Sequence, residues 1–291
     1  MKQSTGEKIF QWGNVLLLTL LGLITLYPFI YVLSLSLSTA AEAQRSGLHL
    51  YPQEVSLTAY KMVLNNPNIL IGYLNSIFRT VTGTLGTLVF TCLCAYPLSR
   101  PGMRWRRTLT FIVLFTLIFN GGLVPMYLQI RNLGLLNNRL VYILPSMVAA
   151  FNVIVLKNFF EEIPNSLAEA ARIDGASEWR ILFQIYVPLA KPALATISLW
   201  TAVVHWNQWF DAMIYITDDK KQVLQNFLQR IVVENSTDMI AKGLVNPDIM
   251  QFTPETIKAA TVIITILPMI IAYPFIQKYF VKGIMIGGVK E

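Results

Sequence analysis

Six long stretches without Asp, Glu, Lys or Arg constrain this chain more than any other feature. They are Ile9–Ala41, Thr80–Ser99, Thr108–Ile130, Leu140–Leu156, Pro192–Phe210 and Ala259–Gln277. A helix needs roughly 20 apolar residues to cross a bilayer, with a range of about 17–25, whereas buried core segments of that kind run to about 10–14. Every stretch reaches the membrane range, and only 13% of the 291 residues are charged. We therefore predict a polytopic membrane protein and not a soluble protein with a large core.

The predicted fold is all-α, with one transmembrane domain over residues 1–291 and six membrane-spanning helices. Helices are favoured because every backbone polar group in lipid needs an internal partner. We place the spans near 13–38, 75–98, 108–127, 140–160, 189–214 and 257–280. The same assignment leaves two external loops, 39–72 and 217–255, and one sizeable cytoplasmic loop, 161–188.

The first span has two interpretations. Lys2 and Lys8 precede it and "TAAEA" follows at 39–43, which together resemble a cleavable signal peptide. Its apolar stretch is much longer than the signal core of about 7–15 residues. We therefore predict a retained membrane anchor.

A basic loop orients the chain. Residues 100–107 read "RPGMRWRR", with four Arg and no acidic residue. Short loops rich in Lys and Arg stay in the cytoplasm. This assignment places both termini and the 161–188 loop on the cytoplasmic side, and it explains the net charge of +7 without nucleic acid.

Two features belong to the predicted external side. The Asn-rich run Met62–Phe78 is interpreted as an approach to the second span, with Arg79 near the outer end of that span and able to snorkel to the interface. In the second external loop, Val223, Phe227 and Ile231 have the spacing of a short amphipathic helix. That helix is either a docking surface or a solvated connection.

The sequence lacks the usual signatures of catalysis and metal binding. It has no HExxH, no Cys/His cluster and no G-x-S-x-G, and its two histidines, His49 and His205, lie far apart. Cys92 and Cys94 point to different helix faces, so we interpret them as small buried hydrophobes. The C-terminal "GIMIGGVK" has Val289 where a phosphate loop requires Lys. We predict no catalytic residue, no metal and no cofactor bound by this chain.

The predicted cytoplasmic loop contains a compact charged segment, "EAARIDGASEWRILFQIYVP", at residues 169–188. Ser166 and Glu169 have the spacing of a capping box, which predicts a short helix. Gly175 would end that helix in the left-handed conformation, and Ser177 would cap the next helix. The second helix carries an apolar stripe at Trp179, Leu182, Phe183 and Tyr186. We predict a rigid helix–turn–helix that packs on its own spans and presents Glu169, Arg172 and Asp174 to a partner.

This segment closely resembles the EAA signature of permease subunits in ABC-type importers. The match comprises Glu169-Ala170-Ala171, Gly175 four residues after Ala171, and Ile185-x-Val187-Pro188, with Val187 where the pattern commonly has Leu. "WNQW" at 206–209 and "VKGIMIGGVK" at the C-terminus are similar to the carbohydrate-uptake branch. The resemblance covers most of the chain.

The resemblance implies the type I ABC importer permease fold and a non-catalytic role in sugar transport, for an oligosaccharide in particular. It implies that a coupling helix seats in a groove of a separate ATPase through Glu169, Ala170, Ala171, Arg172, Asp174 and Gly175. The implied partners are a second, related permease subunit, two ATP-binding-cassette ATPases that bind ATP and Mg²⁺, and an extracellular or periplasmic sugar-binding protein. The implied location is the plasma (inner) membrane of a prokaryote.

For the substrate path we predict Trp206, Asn207, Gln208 and Trp209, because aromatic faces and amide groups together recognise sugars. Asn207 should then face the bundle interior, since an amide in lipid is costly. A helix–helix hydrogen bond at Asn207 and an interfacial position for Trp209 are the alternatives. Two other functions stay open: the same machine for amino acids, peptides or phosphate, and an ion-driven carrier or membrane enzyme, for which Asp211 is the nearest intramembrane candidate.

Overall fold

The computed structural model describes residues 4–233 and 253–288. Within these ranges the chain is helical, with one isolated bridge between Ser38 and Val55 and no strand. The predicted all-α fold class is confirmed. Part of the predicted external loop 217–255 and the C-terminal Val289 and Lys290 lie outside the described residues.

The helices follow one another along the chain with short breaks. They are α1 (Thr5–Ser36), α2 (Ala40–Ala43), α3 (Thr58–Asn65), α4 (Pro67–Ser99), α5 (Arg106–Ile118), α6 (Leu123–Asn132), α7 (Ala150–Glu162), α8 (Asn165–Ile173), α9 (Glu178–Ile181), α10 (Val187–Leu189), α11 (Lys191–Asn207), α12 (Phe210–Tyr215), α13 (Leu224–Val233) and α14 (Pro254–Gly288). Three 3₁₀ turns lie at Arg139–Tyr142, Leu144–Ser146 and Asp219–Lys221, and a π-helical turn lies at Leu182–Tyr186.

Three helices are long and apolar enough to cross a bilayer by themselves: α1, α4 and the Pro254–Pro274 part of α14. Three further candidates are bent pairs. Arg106–Ile118 meets Leu123–Asn132 at 113°, Arg139–Ser146 meets Ala150–Glu162 at 47°, and Glu178–Leu189 meets Lys191–Asn207 at 80°. If each pair is one span, the described residues contain six, so the six-span count is plausible.

The predicted span 108–127 differs most from its expected form, because it is two helices and not one. The break falls at Asn120–Gly122, where Gly122 has a φ of +86°. Only glycine adopts this region at little cost. The Asn120 side chain accepts the amide of Gly122 at 3.0 Å, which fixes the turn.

The Asn-rich approach to the second span is itself helical from Pro67 onward. Proline is favoured in the first turn of a helix because its missing N–H would have no intrahelical partner there. The Asn66 side chain accepts the amide of Asn68 at 2.9 Å and so caps the start. The helix then runs without interruption to Ser99.

Contact clustering divides the chain into two units. The first comprises Met1–Ile69 and Leu228–Leu267, of which the structure describes 4–69, 228–233 and 253–267. Its loop after α1 is fixed by Glu42, a buried carboxylate that accepts the amides of Gln53 at 2.5 Å and Glu54 at 3.2 Å. The most apolar window of α1 buries none of its residues within the chain.

The second unit comprises Leu70–Phe227 and Pro268–Glu291, of which the structure describes 70–227 and 268–288. It contains two apolar clusters. One joins α4, α7 and α11 around Tyr96, Phe160 and Tyr186. The other joins the Arg139–Tyr142 turn to α12 around Tyr142, Tyr215 and Ile216. Each cluster borders one of the two candidate sites described next.

Candidate functional site: a charged elbow and a cavity

The predicted helix–turn–helix is present as α8, a tight turn, α9 and the π-helical turn after it, and we call this segment, residues 165–186, the elbow. Its first cap differs from the prediction: α8 begins at Asn165 after Pro164, and no side chain caps it. Pro164 has the fixed φ of proline, −55°, and starts the helix two residues before Ser166. The Ser166–Glu169 capping box is therefore wrong, although the helix that it predicted is correct.

The turn between the helices has the predicted glycine geometry. Gly175 has a φ of +76°. Its amide donates to the Arg172 carbonyl at 3.0 Å, and the Ala176 amide donates to the Ala171 carbonyl at 2.9 Å. These two bonds form a Schellman motif, which satisfies carbonyls left open at the helix end. Ser177 then accepts the Arg180 amide at 3.4 Å, which confirms its role as a cap.

The predicted apolar stripe of the second helix is split. Leu182 and Tyr186 are buried, but Trp179 and Phe183 are exposed and stack on each other with ring centroids 6.1 Å apart. The buried face is instead formed by Ile181, Leu182 and Tyr186. The chain forms a π-helical turn at Leu182–Tyr186, which has more residues per turn than the α-helical spacing assumes.

Aromatic packing holds the elbow on its spans. Tyr186 meets Tyr96 of α4 at 5.1 Å and Phe160 of α7 at 5.4 Å, both edge to face. Such pairs contribute about 0.5–1.5 kcal/mol each beyond the area they bury. Ala168 of α8 is fully buried in the same cluster. The elbow is therefore packed against α4 and α7.

A charged network braces the turn. Glu178 accepts Arg172 Nε at 2.8 Å and the Tyr96 hydroxyl at 2.6 Å. The hydrogen bond from Arg172, then that from Tyr96, lowers the pKa of Glu178 below its usual range. A lowered pKa means that the carboxylate form is favoured at neutral pH and that its stabilising effect is lost only as the pH falls through that pKa.

A second brace ties the basic loop to the elbow. Arg100 donates to the Tyr186 hydroxyl and lies over the Tyr186 ring at 4.9 Å. The same guanidinium is 3.5 Å from the Asn165 side chain at the start of α8. The basic loop and the elbow are therefore at the same end of the bundle. Sequence reasoning missed both braces, because Tyr96 and Arg100 are separated from their partners by 82 and 86 positions.

Most of the residues predicted to contact an ATPase are exposed on the elbow. Glu169, Ala170, Asp174 and Gly175 are exposed. Ile173 is 86% exposed, and Leu167 lies on the same helix at 43% exposure. Arg172 is also exposed but is bonded to Glu178, and Ala171 is partly buried against the core. The free face thus combines two acidic side chains with small and apolar ones.

The second candidate site is a cavity of about 850 Å³ between α4, α6, α7, α11 and α12. Its wall is mostly apolar, with a few polar groups among aromatic ones, which is the usual character of a ligand site. The polar and aromatic residues that bear on function are Arg79, Asn152, Trp200, His205, Gln208 and Asp211. Asn152 accepts Trp200 Nε1 at 2.7 Å and donates to Thr201 at 3.3 Å, so both side chains are held in place.

A buried ion pair forms one side of this cavity. Arg79 of α4 bonds to both carboxylate oxygens of Asp211, with Nη1 3.0 Å from Oδ1, and to the Gln208 carbonyl at 2.9 Å. Its guanidinium lies 4.8 Å from the centre of the Tyr142 ring. Arg79 is only 2% exposed. The predicted snorkelling of Arg79 to the interface is wrong, because Asp211 and Gln208 provide partners inside the protein.

The predicted substrate-path residues do not come together. Gln208 lies in the cavity wall, but Trp206, Asn207 and Trp209 are not among the lining residues. Trp206 is buried near Tyr73, with ring centroids 6.1 Å apart. Asn207 is exposed and folds back onto the Val203 carbonyl at 2.9 Å. Asn207 is the last residue of α11 and does not line the cavity within this chain.

Comparison with known families decides what kind of protein carries these two sites. Residues 87–286 match the family described as the binding-protein-dependent transport system inner membrane component. The chain belongs to this family. Membership confirms the expectation of a membrane-embedded transport component without catalysis, and the matched region includes the elbow and every lining residue of the cavity except Arg79.

Several relatives match over nearly their full length. Protein LplC of Bacillus subtilis is 40% identical, over 100% of this chain and 98% of that protein. The polygalacturonan/rhamnogalacturonan transport system permease protein YtcP of the same organism is 41% identical, over 94% and 95%. The diacetylchitobiose uptake permease protein NgcG of Streptomyces coelicolor is 28% identical, over 98% and 90%.

A solved structure supports the same assignment. It is a bacterial ABC transporter involved in the import of the acidic polysaccharide alginate, and one of its chains is 39% identical with a TM-score of 0.89 over 96% of this chain and 99% of that one. This agreement confirms the type I importer permease fold that the EAA resemblance implied.

Proposed function

We propose that this chain forms half of the membrane pathway of an ATP-driven importer for an oligosaccharide. The observation that carries the proposal is the elbow, a rigid exposed platform inside a chain of the binding-protein-dependent transport family. The relatives named above for polygalacturonan/rhamnogalacturonan and diacetylchitobiose, at 41% and 28% identity, support a carbohydrate substrate.

The proposed partners are supported by the family description, which names a binding-protein-dependent transport system. We propose that the cavity of this chain forms half of the pathway and that a second, related permease subunit forms the other half. Two ATP-binding-cassette ATPases would bind ATP and Mg²⁺ and would contact the elbows. A sugar-binding protein on the outer side would deliver the substrate. No cofactor is assigned to this chain.

The proposed orientation places both termini and the elbow in the cytoplasm. The supporting observation is the bond from Arg100 to Tyr186, which puts the basic loop and the elbow at one end of the bundle. A short basic loop is retained on the inside. The ion pair of Arg79 and Asp211 then lies toward the outer end of α4 and at the start of α12.

The elbow is proposed to couple ATP binding to the cavity. Glu169, Ala170, Ala171, Arg172, Asp174 and Gly175 would seat on the ATPase. When the ATPases close, they would move the elbow, and its aromatic packing on Tyr96 and Phe160 would carry α4 and α7 with it. Packed elements transmit such shifts as rigid bodies because cores resist gradual deformation.

We propose that the sugar passes through the cavity and contacts Trp200, Asn152 and Gln208. Trp200 offers an aromatic surface, and Gln208 is the one member of the predicted quartet in the wall. Trp206, Asn207 and Trp209 stay a prediction for the assembled permease pair. The ion-driven alternative is disfavoured because Asp211 is already paired with Arg79.

Uptake into proteoliposomes that contain all subunits tests the proposal. We expect uptake of labelled oligosaccharides to need ATP on the elbow side and the external binding protein, and to continue when a protonophore is added. Uptake that continues without ATP and stops with the protonophore would overturn the proposal in favour of an ion-driven carrier.

Removal of one brace provides a prediction for the coupling role. Tyr96→Phe deletes the hydroxyl that donates to Glu178 but keeps the ring packing on Tyr186. A hydrogen bond to a charged group contributes about 1.5–3 kcal/mol, and we expect the number of sugars moved per ATP hydrolysed to fall several-fold. Uptake and ATP hydrolysis are measured in the same vesicles.

The matched control is Tyr51→Phe, which deletes a hydroxyl from a tyrosine that is 71% exposed in the loop after α1. This variant should behave like the parent chain. An unchanged ratio of transport to hydrolysis in Tyr96→Phe would show that the brace does not affect coupling.

A further inference from the structure

A smaller cavity lies where α5 begins and α7 ends. It has a volume of about 530 Å³ and lies apart from the elbow surface and the substrate cavity. Its lining consists of three cationic side chains, one hydroxyl and two apolar side chains: Arg106, Arg107, Lys157, Thr110, Phe111 and Leu114. Neither the proposed transport pathway nor the ATPase contact uses these residues.

The charges around this cavity are not balanced within the described residues. Arg106 and Lys157 share one carboxylate, that of Glu161, with Lys157 Nζ 2.8 Å from Oε1. Arg107 is exposed and makes no ion pair or hydrogen bond with any part of the chain that the structure describes. Three cations therefore face one anion, and two positive charges remain for a ligand.

Two further polar features lie at this cavity. Thr110 Oγ1 is buried and has no hydrogen-bond partner among the described residues. The 13-residue helix α5 begins at Arg106, so its positive end and the open amides of its first turn lie beside the cations. Helix N-termini of this kind bind phosphate groups.

The apolar part of the lining continues away from the charges along one helix face. Arg107, Phe111 and Leu114 are spaced i, i+4 and i+7, so they lie in one row. Phe111 is 66% exposed and Leu114 is 40% exposed. Trp105, just before the helix, is 66% exposed, as expected for an aromatic residue at the membrane interface. The row thus runs from a cationic end at the interface to an apolar side facing lipid.

We infer that this cavity binds an anionic phospholipid, with the phosphate headgroup between Arg106, Arg107 and Lys157 and an acyl chain along Phe111 and Leu114. Basic pockets between spans on the cytoplasmic side suit such headgroups. The choice of the inner leaflet rests on the proposed function through its orientation. A soluble phosphate would use the cations but would gain nothing from the exposed apolar row.

The site adjoins the elbow through α7. Glu161, which holds both Arg106 and Lys157, is three residues before Pro164, where the chain turns into α8. A phosphate that partners the two cations fixes the end of α7 on which the elbow depends. The ATPase activity of the assembled transporter should therefore be higher in anionic lipid than in zwitterionic lipid.

Lipid retention by the purified, assembled transporter tests the inference directly. Native mass spectrometry after exchange into phosphatidylglycerol or phosphatidylcholine vesicles reports which lipid stays bound. Arg107→Gln is the preferred variant because it leaves the Arg106–Glu161–Lys157 group intact. One basic residue near an anionic surface contributes about 1 kcal/mol, so we expect about fivefold weaker retention of phosphatidylglycerol, and about thirtyfold weaker retention in Arg107→Glu.

Arg104→Gln is the matched control, since it removes the same charge from the same loop but Arg104 does not line the cavity and instead contacts the Trp105 ring at 5.8 Å. It should retain phosphatidylglycerol like the parent chain. Equal loss in Arg104→Gln and Arg107→Gln, or equal retention of phosphatidylcholine, would overturn the inference. Displacement of the lipid by excess inorganic phosphate would assign the site to a soluble anion. None of these readouts measures sugar uptake, so a failure of the lipid site can be told apart from a failure of the transport proposal.

Discussion

Replacement of Arg79 by Leu is expected to destabilise the chain by about 3–5 kcal/mol, the range observed when one partner of a buried ion pair is removed. The reason is Asp211, whose side chain is 15% exposed and would lose both guanidinium bonds beside the cavity. The Gln208 carbonyl, at the break between α11 and α12, would also lose its donor. Denaturation of the purified protein in detergent, followed by tryptophan fluorescence, measures the change.

The double variant Arg79→Leu with Asp211→Leu tests whether the lost stability comes from an unpaired buried charge or from a change in side-chain volume. Replacement of both charges by apolar groups is often neutral or stabilising, so stability should return toward that of the parent chain. Arg104→Leu, at an arginine outside both cavities, serves as the control and should change little. A stable single variant, or a double variant no better than the single, would contradict the assignment of Arg79 and Asp211 as a coupled pair.

Replacement of Gly175 by Val is expected to abolish coupled uptake while the chain remains in the membrane. Gly175 has a φ of +76°, a region that costs a residue with a Cβ about 1–2 kcal/mol. Relief of this strain would break the bonds from Gly175 and Ala176 to α8 and would turn the exposed face away from the ATPase. Uptake and substrate-stimulated ATP hydrolysis in proteoliposomes report the loss.

Gly134→Val is a closely matched control. Gly134 also has a positive φ, +68°, also follows a helix end, and also has open space where a Cβ would be added. It introduces similar backbone strain at a position remote from the elbow in sequence. We expect Gly134→Val to keep coupled uptake. Equal loss of uptake in both variants would show that backbone strain, and not the position of the elbow, explains the Gly175 result.

The elbow was the part of the site most open to prediction, because its signals are local. The left-handed glycine and the Ser177 cap each depend on a few adjacent residues, and the structure contains both. The prediction was wrong at two positions where neighbouring residues favoured a different local structure. Pro164 fixed the helix start before Ser166 could cap it, and Ile181 is buried where the predicted stripe had Trp179 and Phe183.

The cavity was much less open to prediction, since its walls come from distant parts of the chain. Arg79 and Asp211 are 132 positions apart, and nothing in the sequence near either residue indicates the other. The aromatic and amide residues at 206–209 were assigned to the path by composition alone. Three of the four do not line the cavity, whereas Gln208, directly after the end of α11, does.

The proposed cytoplasmic position of the elbow is tested most directly by measuring from which side of the membrane the elbow can be labelled. Ile173→Cys places a thiol at an 86% exposed position on α8, in a background where Cys92 and Cys94 are replaced by Ala. A membrane-impermeant maleimide should label this thiol in inside-out vesicles, should fail to label it in right-side-out vesicles, and should be blocked when the ATPase is bound. Labelling in right-side-out vesicles, or labelling that the ATPase leaves unchanged, would show that the elbow does not receive force from a cytoplasmic enzyme.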